Sequence, residues 1–203
     1  MRDPLGRLFP GMSHNARVAL DWTLTIAGAI LIVFGLKAWV VNPYRIPSSS
    51  MEPTLHCARP SLGCEAHYSD RVLANRFIYH FRDPKRGEII VFKTPGKVPV
   101  CNTTEPNEVF VKRLIGLPGD VVSERDGFVY IDGKKLNEPY IQSARRDHDP
   151  PRVWPKVAPD HYFFMGDNRN SSCDSRTWGT VPRKNLIGEV FFVYWPPNRL
   201  GFR

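Results

Sequence analysis

The sequence predicts a mainly β protein carried behind one N-terminal membrane-spanning helix. Two observations lead there. One apolar run, Val18 to Val41, stands near the start of the 203-residue chain. After it, 19 prolines and 15 glycines in the whole chain punctuate short runs rich in valine, isoleucine and phenylalanine, which argues against a helix bundle and for many short strands with turns. A chain of this length has room for one membrane segment and one ordinary domain.

Residues 1–17 are short and basic, with Arg2, Arg7 and Arg17 against Asp3. They predict a cytoplasmic N-terminus, which puts residues 42–203 on the far side of the bilayer. The segment 18–41 is uncharged from Trp22 to Leu36, and Lys37 can reach toward the headgroups. Its 24 residues would extend about 36 Å as a helix, enough to span. A cleaved signal peptide is the competing reading, but no small-x-small cleavage site follows Lys37-Ala38-Trp39-Val40-Val41.

Strands are predicted at Arg71–Asn75, Glu88–Phe92 and Val109–Ile115. A meander follows through Val121–Ser123, Phe128–Ile131 and Lys135-Leu136, with Asp126-Gly127 and Asp132-Gly133 as its tight turns. Residues 95–107 and 143–160 read as loops, the second charged and exposed; Asn102-Thr103-Thr104 is formally a glycosylation acceptor. His161–Met165 and Gly188–Trp195 complete the strands, and Pro196-Pro197 ends the last one.

A net charge of +8 suits anionic lipid or nucleic acid, yet the basic residues are scattered and carry no nucleic-acid-binding signature. The cysteines, Cys57, Cys64, Cys101 and Cys173, form no zinc pattern, so no metal is expected. Outside the cytoplasm, disulfides are plausible. Cys57–Cys64 closes the shortest loop and would leave Cys101 with Cys173, but four cysteines allow three pairings.

Ile46-Pro47-Ser48-Ser49-Ser50-Met51-Glu52-Pro53-Thr54 has the composition of a linker. Only nine residues, Asn42 to Ser50, separate it from the apolar run, so at most roughly 30 Å of chain holds it near the bilayer. A serine nucleophile needs a base, and none of the six histidines has a setting that suggests a catalytic partner. A buried, neutral lysine is the other choice. Lys112 alternates with Phe110 and Leu114, although Val111 and Ile115 make the opposite face apolar too, so alternation alone leaves a solvated lysine open.

Pro47–Leu55 resembles the serine motif of bacterial type I signal peptidases. Val111–Asp120 resembles their lysine motif, Gly166–Arg176 their third motif, and Ser69-Asp70-Arg71-Val72 a weaker one between the first two. The order of the motifs and the preceding anchor also match that family, from about residue 18 onward. The resemblance implies a twisted antiparallel β-sheet catalytic domain with a reduced second domain. It implies Ser50 as nucleophile, Lys112 as general base, and an oxyanion hole from the Ser48 hydroxyl and the Ser50 backbone N–H. Ser172 would orient the lysine amine, and Asp174 and Arg176 would form a supporting ion pair. No cofactor is implied. The implied substrates are preprotein signal peptides with small residues at positions −1 and −3. The implied setting is a bacterial plasma membrane, with the lipid bilayer and secretion translocon nearby and no nucleic acid partner.

The third motif departs from the family at Asn170-Ser171 and at Cys173, and Glu189 stands where lysine is common. Two rival readings remain: a soluble serine–lysine self-cleaving repressor, which the apolar run opposes, and a non-catalytic anchored scaffold, which the complete residue set opposes. Archaeal or endoplasmic-reticulum-type signal peptidases carry histidine where Lys112 stands.

Overall fold

The computed structural model of the chain describes residues 11, 13–39, 41–97, 101 and 108–203. Arg2, Arg7, the Lys37 side chain and Asn102-Thr103-Thr104 lie outside the described residues. The chain divides into two compact units, Met1–Val41 and Asn42–Arg203.

The first unit contains one helix, α1 (His14–Trp39), of 26 residues. It starts before the apolar run because Ser13 caps it, its Oγ accepting the Ala16 N–H at 3.4 Å. Trp22, Leu24, Ile26, Leu31 and Phe34 are all exposed, so the helix is apolar without a buried face. Thr23 and Thr25 return their hydroxyls to the carbonyls of Ala19 and Asp21, both at 2.8 Å, which satisfies them inside the helix. His14–Gly35 has a mean hydropathy of 1.9 and is long enough to cross a membrane.

The second unit is built from two sheets. In chain order its strands are β1 (Val41–Arg45), β2 (Arg71–Asn75), β3 (Ile89–Lys93), β4 (Val109–Gly116), β5 (Val122–Arg125), β6 (Phe128–Ile131), β7 (Lys134–Lys135), β8 (Arg152–Val153), β9 (His161–Met165), β10 (Val181–Pro182), β11 (Leu186–Trp195) and β12 (Gly201–Phe202). The larger sheet runs β1-β2-β11-β3-β4-β9-β10, with β12 added beside β11. The smaller runs β7-β6-β5-β8 and is inserted between β4 and β9. That short insert is the reduced second domain expected from the sequence. β11 shifts register against β2 and β3, and β4 shifts between Leu114 and Gly116 against β9. Such bulges bend strands and increase twist.

Both faces of the larger sheet are covered, which explains its continuous apolar strands. Along β3, Ile89 and Val91 join one core with Leu55, Val72 and Val193. Ile90 and Phe92 join another with Leu114 and Phe164. Ile115 and Phe163 pack with Val122, Val129 and Val157, uniting the two sheets. The hairpin turns follow the sequence: Asp126-Gly127 and Asp132-Gly133 all take positive φ, as primed turns require.

The sequence underestimated the segment 143–160. Val157 is core, Asp147 is buried, and Arg152–Val153 forms an edge strand. Its proline-rich composition hid this, because a two-residue strand carries no periodicity. Pro196-Pro197 does end β11, but Gly201–Phe202 then pairs back onto it, opposite Phe192 and Val193.

Candidate active site

The serine motif leaves β1 in an extended conformation and closes into a 3-10 turn, Ser49–Met51, all three residues buried. Glu52 N–H donates to the Ser49 carbonyl at 3.0 Å and Leu55 N–H to the Met51 carbonyl at 2.9 Å. The Glu52 carboxylate is buried and accepts from the Cys57 N–H at 3.1 Å and contacts His56 Nδ1. Met51 and Leu55 anchor the motif in the core. Cys57 is bonded to Cys64. The loop they close brings Gly63 against Ser49, where a Cβ would sit 2.7 Å from Ser49 Oγ.

β4 delivers Lys112 to this turn. Its Cα pairs with Ile90, and the apolar surroundings bury the side chain almost completely. Lys112 Nζ hydrogen-bonds to Ser50 Oγ, across 62 positions of sequence, and lies 5.3 Å from the Phe110 ring centroid. Ser48 Oγ is 3.2 Å from Ser50 Oγ. Burial pushes the Lys112 ammonium down to about 8; Asp174 and Asp167 oppose the shift and Arg176 adds to it. An amine in that range is available as a base near neutral pH.

The third motif forms the wall behind the pair. Asn168 donates its backbone N–H to the Ser50 carbonyl and its side-chain amide to the Ser49 carbonyl, both at 3.0 Å. Arg113, next to Lys112, makes a bidentate pair with Asp167 at 2.8 and 2.6 Å. Arg113 also stacks 3.8 Å from the Tyr140 ring centroid. Asp167 accepts from the Thr54 hydroxyl as well, tying the serine, lysine and third motifs into one buried unit.

Asp174 caps the short helix α2 (Ser175–Trp178), accepting the Arg176 N–H at 3.2 Å and the Gly166 N–H at 3.0 Å. Its carboxylate also pairs with the Arg176 guanidinium at 2.9 Å. Burial alone would raise the Asp174 pKa, but Arg176, the Gly166 N–H and the Ser172 hydroxyl hold it below the usual range. Ser172 Oγ is buried close to Asp174 yet meets no partner at full hydrogen-bond geometry, Lys112 included. Arg176 reaches further, to the carbonyls of Arg169 at 2.7 Å and Ser172 at 3.3 Å. Cys173, between Ser172 and Asp174, is bonded to Cys101, with Cα atoms 5.7 Å apart.

These elements line a cleft of about 420 Å³ whose wall includes Tyr44, Ile46, Ser50, Lys112, Cys101 and Cys173. Ser48, Ser50 and Lys112 thus converge, with Asp174 and Arg176 behind them. The Ser49 carbonyl accepts two hydrogen bonds, from the Glu52 N–H and the Asn168 side-chain amide. Sequence reasoning also missed Asn168, the Arg113–Asp167 pair and the buried Arg169–Glu138 pair. Asn168 and Asp167 lay inside a motif already in view. Glu138 had no local signal at all.

Residues 19–195 match the signal peptidase family, peptidase S26. The chain is 40% identical over 182 residues to the probable signal peptidase I-2 of Synechocystis, covering 90% of this chain and 76% of that protein. It is 41% identical over 179 residues to the signal peptidase I of Leptolyngbya laminosa, covering 87% and 80%. With signal peptidase I P of Bacillus subtilis subsp. natto the identity is 33% over 189 residues, covering 89% and 91%. A match across most of the chain, running through all three motifs that meet at this cleft, means that the chain belongs to the peptidase S26 family of signal peptidases.

Proposed function

We propose that the protein is a membrane-anchored serine endopeptidase that removes signal peptides from exported preproteins through an acyl-enzyme on Ser50. The observation that carries this reading is the buried contact of Lys112 Nζ with Ser50 Oγ. Neutral Lys112 takes the hydroxyl proton as Ser50 Oγ attacks the scissile carbonyl carbon. The Ser48 hydroxyl and the Ser50 N–H hold the resulting oxyanion. Lys112, now charged, gives its proton to the leaving amine, the C–N bond breaks and the mature protein departs. Water, deprotonated by Lys112, then attacks the ester and frees Ser50. Ser172 orients the lysine amine from its place close to Asp174. Asp174 and Arg176 keep that wall in place.

The apolar stretch of the cleft at Tyr44, Ile46, Phe110 and Val111 suits small aliphatic side chains at positions −1 and −3. The N-terminus is cytoplasmic and the β unit stands outside a bacterial plasma membrane, within short reach of lipid and of the translocon delivering substrate. Both disulfides agree with an oxidising compartment.

The test is cleavage of a preprotein by the purified full-length chain in detergent. Ser50→Ala and Lys112→Met should each lower turnover by at least about 10³-fold. Near-normal turnover in either variant would refute the dyad.

A further inference from the structure

Among the buried carboxylates that the mechanism above leaves unused, two face one guanidinium nitrogen. Glu124 lies on β5 and Asp147 in the loop before β8; both are buried. Arg176 Nη1 contacts Asp147 Oδ2 and lies 3.9 Å from Glu124 Oε2, so one guanidinium nitrogen faces both acids. Each acid keeps a second oxygen that is buried without a partner, Glu124 Oε1 and Asp147 Oδ1.

The surrounding charges do not balance. Arg169 and Arg146 are both engaged with Glu138. Arg176 is engaged with Asp174 as well. Among these paired groups, four carboxylates therefore meet three guanidiniums. Across the ladder Glu124 faces Val129 on β6 and Arg152 on β8, and Arg152 is exposed and paired with Asp149. No further cation is supplied from those strands.

We propose that Glu124 is protonated beside Asp147 and that the two act, through Arg176, as positioning residues for the loop that carries Ser172 and Asp174 behind Lys112. The functional half of this inference rests on Lys112 being the base. Two buried acids beside one guanidinium cannot both ionise cheaply, and a proton on Glu124 removes the excess charge. Burial, then Asp147, raises the Glu124 carboxyl to about 7 against the pull of Arg176 and Arg169. The same Arg176 holds the Ser172 carbonyl and the Asp174 carboxylate, and its charge lowers the Lys112 pKa. The second sheet thereby reaches the catalytic wall through one side chain.

The experiment has two arms, both on the full-length protein in detergent. In the first, melting temperature is followed from about pH 5 to about pH 8 for wild type and Glu124→Gln. A carboxyl whose pKa is raised by folding costs stability as pH climbs from its unfolded value through its folded one. Glutamine does not ionise, so the Tm of the variant relative to wild type should rise by on the order of 5 °C across that range. A Tm difference independent of pH would overturn the protonated Glu124. In the second arm, the pH profile of kcat/KM is compared between wild type and the double variant Glu124→Gln, Asp147→Asn. Leaving the Arg176 charge less compensated should move the acid limb down by about half a pH unit and lower kcat several-fold. An unmoved limb would overturn the positioning role. If wild type shows no acid limb, the lysine mechanism itself has failed, and the first arm still decides whether Glu124 is protonated.

Discussion

The Ser50 carbonyl oxygen lies where only a glycine at position 166 can meet it: a Cβ on Gly166 would sit 2.4 Å from that oxygen and 2.2 Å from Ser172 Oγ. Position 166 follows β9 and opens the third motif, so the loop behind the lysine is pressed against the Ser50 backbone. Gly166→Ala should therefore displace Ser50 or Ser172, costing about 1–3 kcal/mol in stability and on the order of 10²-fold in kcat. Thermal unfolding and steady-state kinetics check this. A variant of normal Tm and normal kcat would mean that the wall yields without consequence.

The pH dependence follows from the direction of the lysine shift. Lys112 is lowered to about 8, and in the proposed mechanism it acts as a base only when neutral. Activity should climb about tenfold per pH unit on the acid side and level off as pH passes the lysine pKa. A kcat/KM profile that stays flat down to about pH 4 is incompatible with a lysine base.

Ser48→Ala removes a hydroxyl that stands 3.2 Å from Ser50 Oγ and that the proposed mechanism turns toward the oxyanion. Loss of one such donor lowers kcat by about 10²–10³-fold, and KM should change little, because the charge exists only in the transition state. A change confined to KM would assign Ser48 to substrate binding instead.

The Cys101–Cys173 bond joins residues 72 positions apart and both cysteines line the cleft. Replacing both with serine should cost about 4 kcal/mol by loop-closure entropy, lowering Tm by roughly 10 °C. It should also raise KM, since one cleft wall loses its tether. Alkylation without reductant followed by mass spectrometry checks the starting point: four modified thiols would remove both disulfides.

Much of this is legible in the sequence. The strands β2, β3, β4, β6, β9 and β11 announced themselves by β-branched and aromatic runs between turn residues, and the Asp-Gly pairs marked their own turns. The short strands β1, β8, β10 and β12 and the four-residue helix α2 did not, because elements of so few residues owe their existence to partners elsewhere. Within the site, Ser50 and Lys112 were visible through their motifs. Glu138, Glu124 and Asp147 were not, since a charged residue in a strand or loop gives no hint of the guanidinium it will meet.

By itself the sequence determined which chemistry was on hand: an apolar helix long enough for a bilayer, a set of short strands, a serine without a histidine, and one lysine flanked by apolar residues. Those are local properties, set by composition and by periodicity over a few positions. Only the tertiary structure decided that Lys112 is buried rather than solvated, that its amine meets Ser50, that Cys101 lies beside Cys173, and that Arg176 joins the smaller sheet to the loop behind Lys112. Burial and proximity are summed over segments far apart in the chain, and they set the lysine pKa on which the proposed reaction depends.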